Sequence, residues 1–341
     1  MEEEILKILR NAKSGFVSGE DISFALNVSR TAVWKRIKKL KQIGYKIDAH
    51  PRSGYRLIDC PDILTPSELN PLLETEWIGK KIHYFQEIDS TNSKAYQLAS
   101  LGAKEGEIVI AESQKKGRGR LGRTWVSPPY LNLYLSIILR PNILPNQAPL
   151  ITLLSAVATA EAIKRFSGIT LSIKWPNDIL IDGRKLAGIL NEINSEMDRI
   201  NFVIIGIGIN INMDKNKFPK ELRQKATSLK IETGKNVSRK ELTCVLLKEI
   251  EDWYKIFLEN GAQPIIEAWR KWADIKGKMV KVSSFQETIV GRAIDIDSEG
   301  ALIIEIEKGE FKKIIAGDVE YQNRESIKES ENHGRQYATG N

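Results

Sequence analysis

Cysteine is nearly missing from this chain: Cys60 and Cys244 stand far apart in 341 residues. A disulfide framework is therefore excluded as a source of stability. Histidine is as scarce, and His50, His83 and His333 show no metal-ligand spacing, so a zinc centre is not expected. No apolar run reaches the length of a bilayer span, and the opening Met-Glu-Glu-Glu does not read as a signal peptide; both point to the cytoplasm and away from a membrane. There is no Walker-type phosphate loop with its lysine, so any nucleotide must be held by other loops. No internal repeat is apparent.

What remains describes a globular protein, 42% apolar and 28% charged, long enough for two or three domains with cores of their own. Lysine and arginine outnumber acids only 51 to 44, so the excess matters only where it is concentrated.

It is concentrated near the N-terminus. Ile5, Leu6, Ile8 and Leu9 give one helical face. Ser18 precedes acids at Glu20 and Asp21 and caps a second helix that stops near Asn27; Ser29 caps a third, which carries Ala32, Val33, Ile37 and Leu40 and ends at Gly44. Two helices joined by Asn27-Val28-Ser29 form a helix-turn-helix, and Tyr45 to Ile58 alternates around Pro51-Arg52-Ser53-Gly54 as a wing. From Val28 to Arg56 nine Lys and Arg face a single acid, Asp48, a net charge of +8. The recognition-helix geometry points to Ser29, Arg30, Thr31 and Lys35 for base edges, and to Lys38, Lys39 and Arg52 for phosphates. Trp34 reads as a packing residue.

Asp59 to Pro66, punctuated by Pro61 and Pro66, reads as a linker, with domain boundaries placed at 1–60, 61–66, 67–273 and 274–322. The large domain mixes strands (Ile82 to Phe85, Glu107 to Glu112 with Gln114 at its end, Leu131 to Leu139, Leu171 to Lys174, Asn201 to Asn212) with helices at Ile151 to Phe166, Lys240 to Leu258 and Pro264 to Ala273; Trp253 and Trp269 face the core. Asp182-Gly183-Arg184 marks a hairpin, and the glycines in Val203 to Asn210 permit close approach of a ligand or another backbone. Residues 274 to 322 change to short strands about ten residues apart, which predicts a small β-barrel, with a turn at Lys308-Gly309. Asn323 to Asn341 is polar and reads as a disordered tail.

Two stretches carry the chemistry. Gly117-Arg118-Gly119-Arg120-Leu121-Gly122-Arg123-Thr124-Trp125 alternates glycines with arginines, a loop suited to gripping an anion and expected to be mobile when empty. Its glycine spacing imitates the dinucleotide fingerprint, but Pro128-Pro129 follows where that fingerprint needs a helix. Alone, it is compatible with a solvated basic loop or a nucleic-acid patch. The second stretch is Lys174-Trp175-Pro176-Asn177-Asp178, followed by Arg184-Lys185-Leu186-Ala187-Gly188.

Together these motifs resemble the biotin protein ligase family, and the N-terminal helices resemble its bifunctional branch, which also represses transcription. The resemblance covers roughly residues 1 to 322. It implies an α+β multidomain fold: a winged helix-turn-helix, a central α/β ligase domain with a mixed sheet, and a small SH3-like β-barrel. It implies biotin and ATP as substrates, biotinyl-5′-AMP as intermediate, Mg²⁺, a biotin carboxyl-carrier protein such as that of acetyl-CoA carboxylase as acceptor, operator DNA as partner, and a homodimer on binding the adenylate. The family dimerises side by side through its central sheets, which suggests Val203 to Asn210 here. By residue, the resemblance implies that Ser90, Thr91 and Asn92 contact the biotin ring, with Gln114, Arg118, Gly119, Arg120 and Lys185 completing the biotin site. Gly117, Arg118, Arg120, Arg123, Trp125, Lys174, Asn177 and Asn210 would surround the nucleotide. Lys185, Arg120 and Asp178 are the catalytic candidates, Lys185 between carboxylate and phosphate. Asp178 either holds Mg²⁺ through water or orients Lys174. A lipoate-type acyl ligase on the same fold and a ligand-sensing repressor without catalysis are the competing readings.

Overall fold

The computed structural model describes residues 1–12, 15–284, 287–307 and 309–322. Lys308 and the segment from Asn323 to Asn341 lie outside the described residues. The chain divides into two compact units, one of Met1–Leu72 with Ser238–Glu241, the other of Leu73–Val237 with the described residues from Leu242 onward.

The first unit opens with α1 (Glu2–Asn11), α2 (Gly19–Leu26) and α3 (Arg30–Ile43). Ser18 and Ser29 each accept a backbone N–H three residues on, from Asp21 and Ala32, so both caps form where the sequence places them. Asn27 and Gly44 close α2 and α3 in the left-handed conformation. Ile5, Leu6, Leu9, Ile22, Val33, Ile37 and Leu40 form one core. β1 (Lys46–His50) and β2 (Gly54–Asp59) pair antiparallel as the wing, followed by α4 (Pro66–Leu69).

The segment expected to be a linker is instead built into this unit. Ile63 and Leu64 are buried, and the Asp62 carboxylate accepts the backbone N–H groups of Arg239 and Lys240. Tyr45 and Lys240 both donate to the buried Glu68 carboxylate, at 2.6 and 3.2 Å. These bonds consume the polar groups that a free tether would leave in water.

In the second unit, β3 (Ile82–Phe85), α5 (Thr91–Ser100), β4 (Ile108–Ala111), β5 (Leu133–Leu139), α6 (Ala148–Ser167), β6 (Ser172–Lys174), β7 (Asp178–Ile181), β8 (Arg184–Ser195) and β9 (Ile200–Ile209) build a seven-stranded mixed sheet of order β3-β4-β5-β9-β8-β7-β6. Only β3 and β4 pair parallel. α5 packs on β4, β5 and β9 through Ala95, Ala99, Val109, Ile138, Phe202 and Ile204; α6 lies against β6, β7 and β8. Asp182 and Gly183, both at positive φ, make the tight turn between β7 and β8.

The sheet corrects one expectation. β9, the glycine-bearing strand, is hydrogen-bonded to β5 on one flank and β8 on the other, so it offers no edge to a second subunit. Within the sheet, β8 has an unpaired stretch of flank, because it loses its β7 neighbour after Gly188 while pairing with β9 to Ser195.

α7 (Leu229–Thr233), α8 (Arg239–Asn260) and α9 (Gln263–Trp272) follow. Trp269 is buried as expected, but Trp253 is only partly covered; its neighbour Tyr254 fills the core and donates its hydroxyl to Glu105. The C-terminal strands are β10 (Met279–Ser283), β11 (Thr288–Ile296), β12 (Leu302–Glu307), β13 (Glu310–Ile314) and a fifth that the spacing did not reveal, β14 (Asp318–Tyr321). They form an antiparallel sheet of order β13-β12-β11-β10-β14.

Candidate active site and DNA-binding surface

A cavity of about 950 Å³ opens over β8 and β9 and is lined from α5, the arginine loop, the β6–β7 turn, β8, β9 and β14. One half is neutral. Ser90 caps α5, which buries Thr91 and Asn92 at the first turn. The Gln114 side-chain oxygen accepts from the Thr91 N–H at 2.8 Å and its hydroxyl at 3.1 Å, while its amide donates to Ser127. Ser136 donates to Thr91 Oγ1 and Asn92 Oδ1, and Asn92 Nδ2 donates to the Leu190 carbonyl and Glu192. A methyl on Gly206 would lie 2.0 Å from Asn92 Oδ1, and one on Gly208 would lie 2.5 Å from the Trp125 ring. The β9 glycines are thus there to admit two side chains of the site, not another backbone.

The other half is cationic. The arginine loop is closed at its base, where Trp125 N–H donates to the Gly117 carbonyl and Gly119 N–H to that of Arg123. A side chain on Gly117 would strike the Trp125 carbonyl. Arg120 turns inward and donates to Asn177 Oδ1 at 3.1 Å. Burial draws its guanidinium below the usual arginine range, opposed by Asp318 and Asp178 and reinforced by Arg123. Arg118 pairs with Glu192 at 2.9 Å, and Arg123 pairs with Asp318 of β14. Asn177 is fixed from both sides, donating to the Ile189 carbonyl and accepting its N–H. The peptide before Pro176 is cis, and Trp175 is buried with its indole N–H on the Gly300 carbonyl. Asn210 is buried, its backbone tied to Leu186 and Leu229.

Lys185 stands 2.6 Å from Asp178 and 5.6 Å from the Trp125 ring centroid. Asp178 therefore holds Lys185; Lys174, its strand partner, lines the cavity without that carboxylate. Among the described residues no cluster of three His, Cys, Asp or Glu side chains exists. A single carboxylate already neutralised by a lysine does not build a resident metal site.

Every cavity residue expected from the sequence lines this space or its loop. Asp318, which also lines it, was missed, as were Ser136, Glu192 and Ser127, which hold lining residues from behind. Ser136 had a signal: it is the one strongly polar side chain inside the buried run Leu133–Leu139.

In the first unit, Arg30, Thr31 and Trp34 of α3 face Ala49, His50 and Arg52 of the wing across a groove of about 590 Å³. Lys35 and Lys38 are exposed beside it. Two expectations change. Trp34 is 52% exposed and does not pack in the core. Lys39, with Arg36, is ion-paired to Glu2 of α1 at 2.9 Å.

An α/β domain whose cavity joins a neutral hydrogen-bonding pocket to a row of cations, carried in one chain with a winged helix, defines a carboxylate-activating ligase that also has a DNA-binding module. Residues 84–210 match the biotin/lipoate A/B protein ligase family, residues 2–56 an HTH domain, and residues 276–321 the biotin protein ligase C-terminal domain. The chain is 41% identical over 320 residues to the bifunctional ligase/repressor BirA of Bacillus spizizenii, covering 94% of this chain and 98% of the relative. It is 32% identical over 323 residues to the Escherichia coli K12 bifunctional ligase/repressor BirA, covering 94% and 97%. The solved biotin protein ligase of Aquifex aeolicus in complex with biotin and ATP superposes with a TM-score of 0.61 at 31% identity, over 72% of this chain and 99% of that one. The chain belongs to the biotin protein ligase family, in its bifunctional ligase/repressor branch.

Proposed function

We propose that this protein activates biotin with ATP to biotinyl-5′-AMP, transfers biotin to a lysine of a biotin carboxyl-carrier protein, and represses biotin genes as the adenylate complex. The observation that carries this reading is the placing of a neutral hydrogen-bonding pocket and a set of cations in one cavity. Biotin's ureido ring is polar and uncharged, which suits Thr91, Asn92 and Gln114, with Ser136 bonded behind them; its carboxylate and the triphosphate suit the cations.

In the first step a biotin carboxylate oxygen attacks the α-phosphorus of ATP, a P–O bond forms, and pyrophosphate leaves. Two anions must meet, so the requirement is charge compensation and alignment. Lys185, oriented by Asp178, supplies a cation between carboxylate and phosphate. Arg120, half-buried and held by Asn177, takes the phosphate. The Trp125 indole N–H is buried against Gly208 with no acceptor among the described residues. In the second step the acceptor amine attacks the acyl carbon and AMP leaves. Until then the loop Gly117–Trp125 shields the anhydride from water. Mg²⁺ enters with ATP as part of the substrate.

The first 60 residues supply DNA recognition, residues 67–273 the chemistry and residues 274–322 the small β domain, with 61–66 packed as described. The setting is cytoplasmic, where ATP, carrier protein and operator meet; no helix among the described residues is long and apolar enough to cross a membrane. A homodimer pairs two operator half-sites, and the free flank of β8 from Leu190 to Ser195 is the edge that would join two sheets.

Arg120→Gly tests the assignment. Losing its charge-assisted contact should let adenylate escape and label lysines indiscriminately. Adenylate retained as tightly as in the unaltered protein rules out this role.

A further inference from the structure

We propose that Trp34 reads thymine methyl groups in the DNA major groove and is a specificity determinant of operator recognition. The inference rests on the DNA-binding reading above.

Val33, Ile37 and Leu40 commit one side of α3 to the core. The exposed flank beside that face presents Arg30, Trp34 and Lys38, each four residues apart, as one stripe. Trp34 is 52% exposed in the middle of that stripe, and Lys38 Nζ stands 5.4 Å from its ring centroid. The indole looks into the groove between helix and wing, with Arg30 and Thr31 beside it and Arg52 across from it. Arg30, Lys38 and Arg52 have no ion-pair partner among the described residues. This surface therefore suits a polyanion, and a phosphate backbone has no use for a large apolar ring at its centre.

The major groove has one apolar feature that varies with sequence, the C5-methyl of thymine, and apolar side chains contact it. An aromatic side chain on a recognition helix, flanked by cations that set its depth and register on the backbone, is placed to find that methyl. The contact discriminates T·A from C·G without a hydrogen bond.

The test uses the full chain with biotin and ATP and a palindromic duplex selected by it from randomised DNA. Each thymine of the half-sites is replaced in turn by deoxyuridine, which removes only the methyl. At one symmetry-related thymine pair, loss of the methyl should weaken binding about fourfold per half-site, the worth of one buried methylene-sized group. Trp34→Ala should bind thymine and deoxyuridine duplexes equally at that pair, with the salt slope unchanged because no phosphate contact is lost. Trp34→Phe should keep the methyl sensitivity. If no thymine is sensitive, or if the sensitive one is as sensitive in Trp34→Ala, the inference is overturned while DNA binding stands. Failure to enrich any duplex removes the DNA-binding reading, and this inference with it.

Discussion

Four cations of the central cavity and three of the recognition helix are held in opposite ways. In the cavity Lys185 meets Asp178, Arg118 meets Glu192, Arg123 meets Asp318 and Arg120 meets Asn177. On the outer side of α3, Arg30, Lys35 and Lys38 have no acid within ion-pair distance among the described residues, and the same is true of Arg52 in the wing. The difference follows from the anion each must meet. A reaction site has to present charge at a fixed point before the transition state forms, so partners orient the cation in advance. A DNA surface gains by displacing condensed counterions over many phosphates, which needs free, mobile charge. Paired cations give geometry; unpaired ones give salt-dependent affinity.

The largest effect expected from this contrast is at Lys185. Lys185→Ala should slow biotin-dependent pyrophosphate exchange by an amount on the order of 2–4 kcal/mol, as for removal of an oxyanion-stabilising donor. An unchanged exchange rate would mean that the Asp178-held lysine is structural. Next comes Arg52→Ala, an unpaired cation. It should weaken operator binding a few-fold, independently of sequence, and lower the salt slope by about 1. An unaltered slope in a salt titration would remove Arg52 from the phosphate contacts.

The smallest effect tests the exception, since Lys39 and Arg36 of α3 are paired with Glu2 of α1. Lys39 first, and then burial opposed by the Glu2 backbone and Arg36, leave Glu2 with its pKa lowered to about 2. A depressed carboxylate stabilises the fold above its unfolded value, and that contribution fades as pH falls towards about 2. Glu2→Gln should therefore cost under about 1 kcal/mol at neutral pH and flatten the acid limb of the unfolding curve. Operator affinity should not fall. A rise in affinity would return Lys39 to the phosphate contacts.

Much of this was legible in the sequence. Helix caps at Ser18 and Ser29, the glycine stop at Gly44 and the turn at Asp182-Gly183 are local signals, and all formed. The two motif stretches placed Arg120, Asn177 and Lys185 in one cavity. Trp34 was misread although the answer was available: with Val33, Ile37 and Leu40 inward, its position one residue after Val33 points it out. Other features were not available. Glu192 reaches Arg118 and Asn92 only because β8 folds beside β9 over α5, and Asp318 reaches Arg123 only through β14, a short strand with little pattern of its own. The linker reading failed because prolines mark a break in secondary structure, while the Asp62 and Glu68 bonds to Arg239 and Lys240 come from far along the chain.

The central claim is that the adenylate made in the paired-cation cavity switches on the unpaired-cation surface. It is tested by measuring operator affinity of the full chain with no ligand, with biotin, with biotin plus ATP, and for Lys185→Ala with biotin plus ATP or with preformed biotinyl-5′-AMP. On the proposed reading, adenylate would spare a dimer the entropy of ordering its loops, so biotin plus ATP should tighten operator binding by roughly 5- to 150-fold, and Lys185→Ala should respond only to preformed adenylate. Equal operator affinity under all of these conditions would contradict the account.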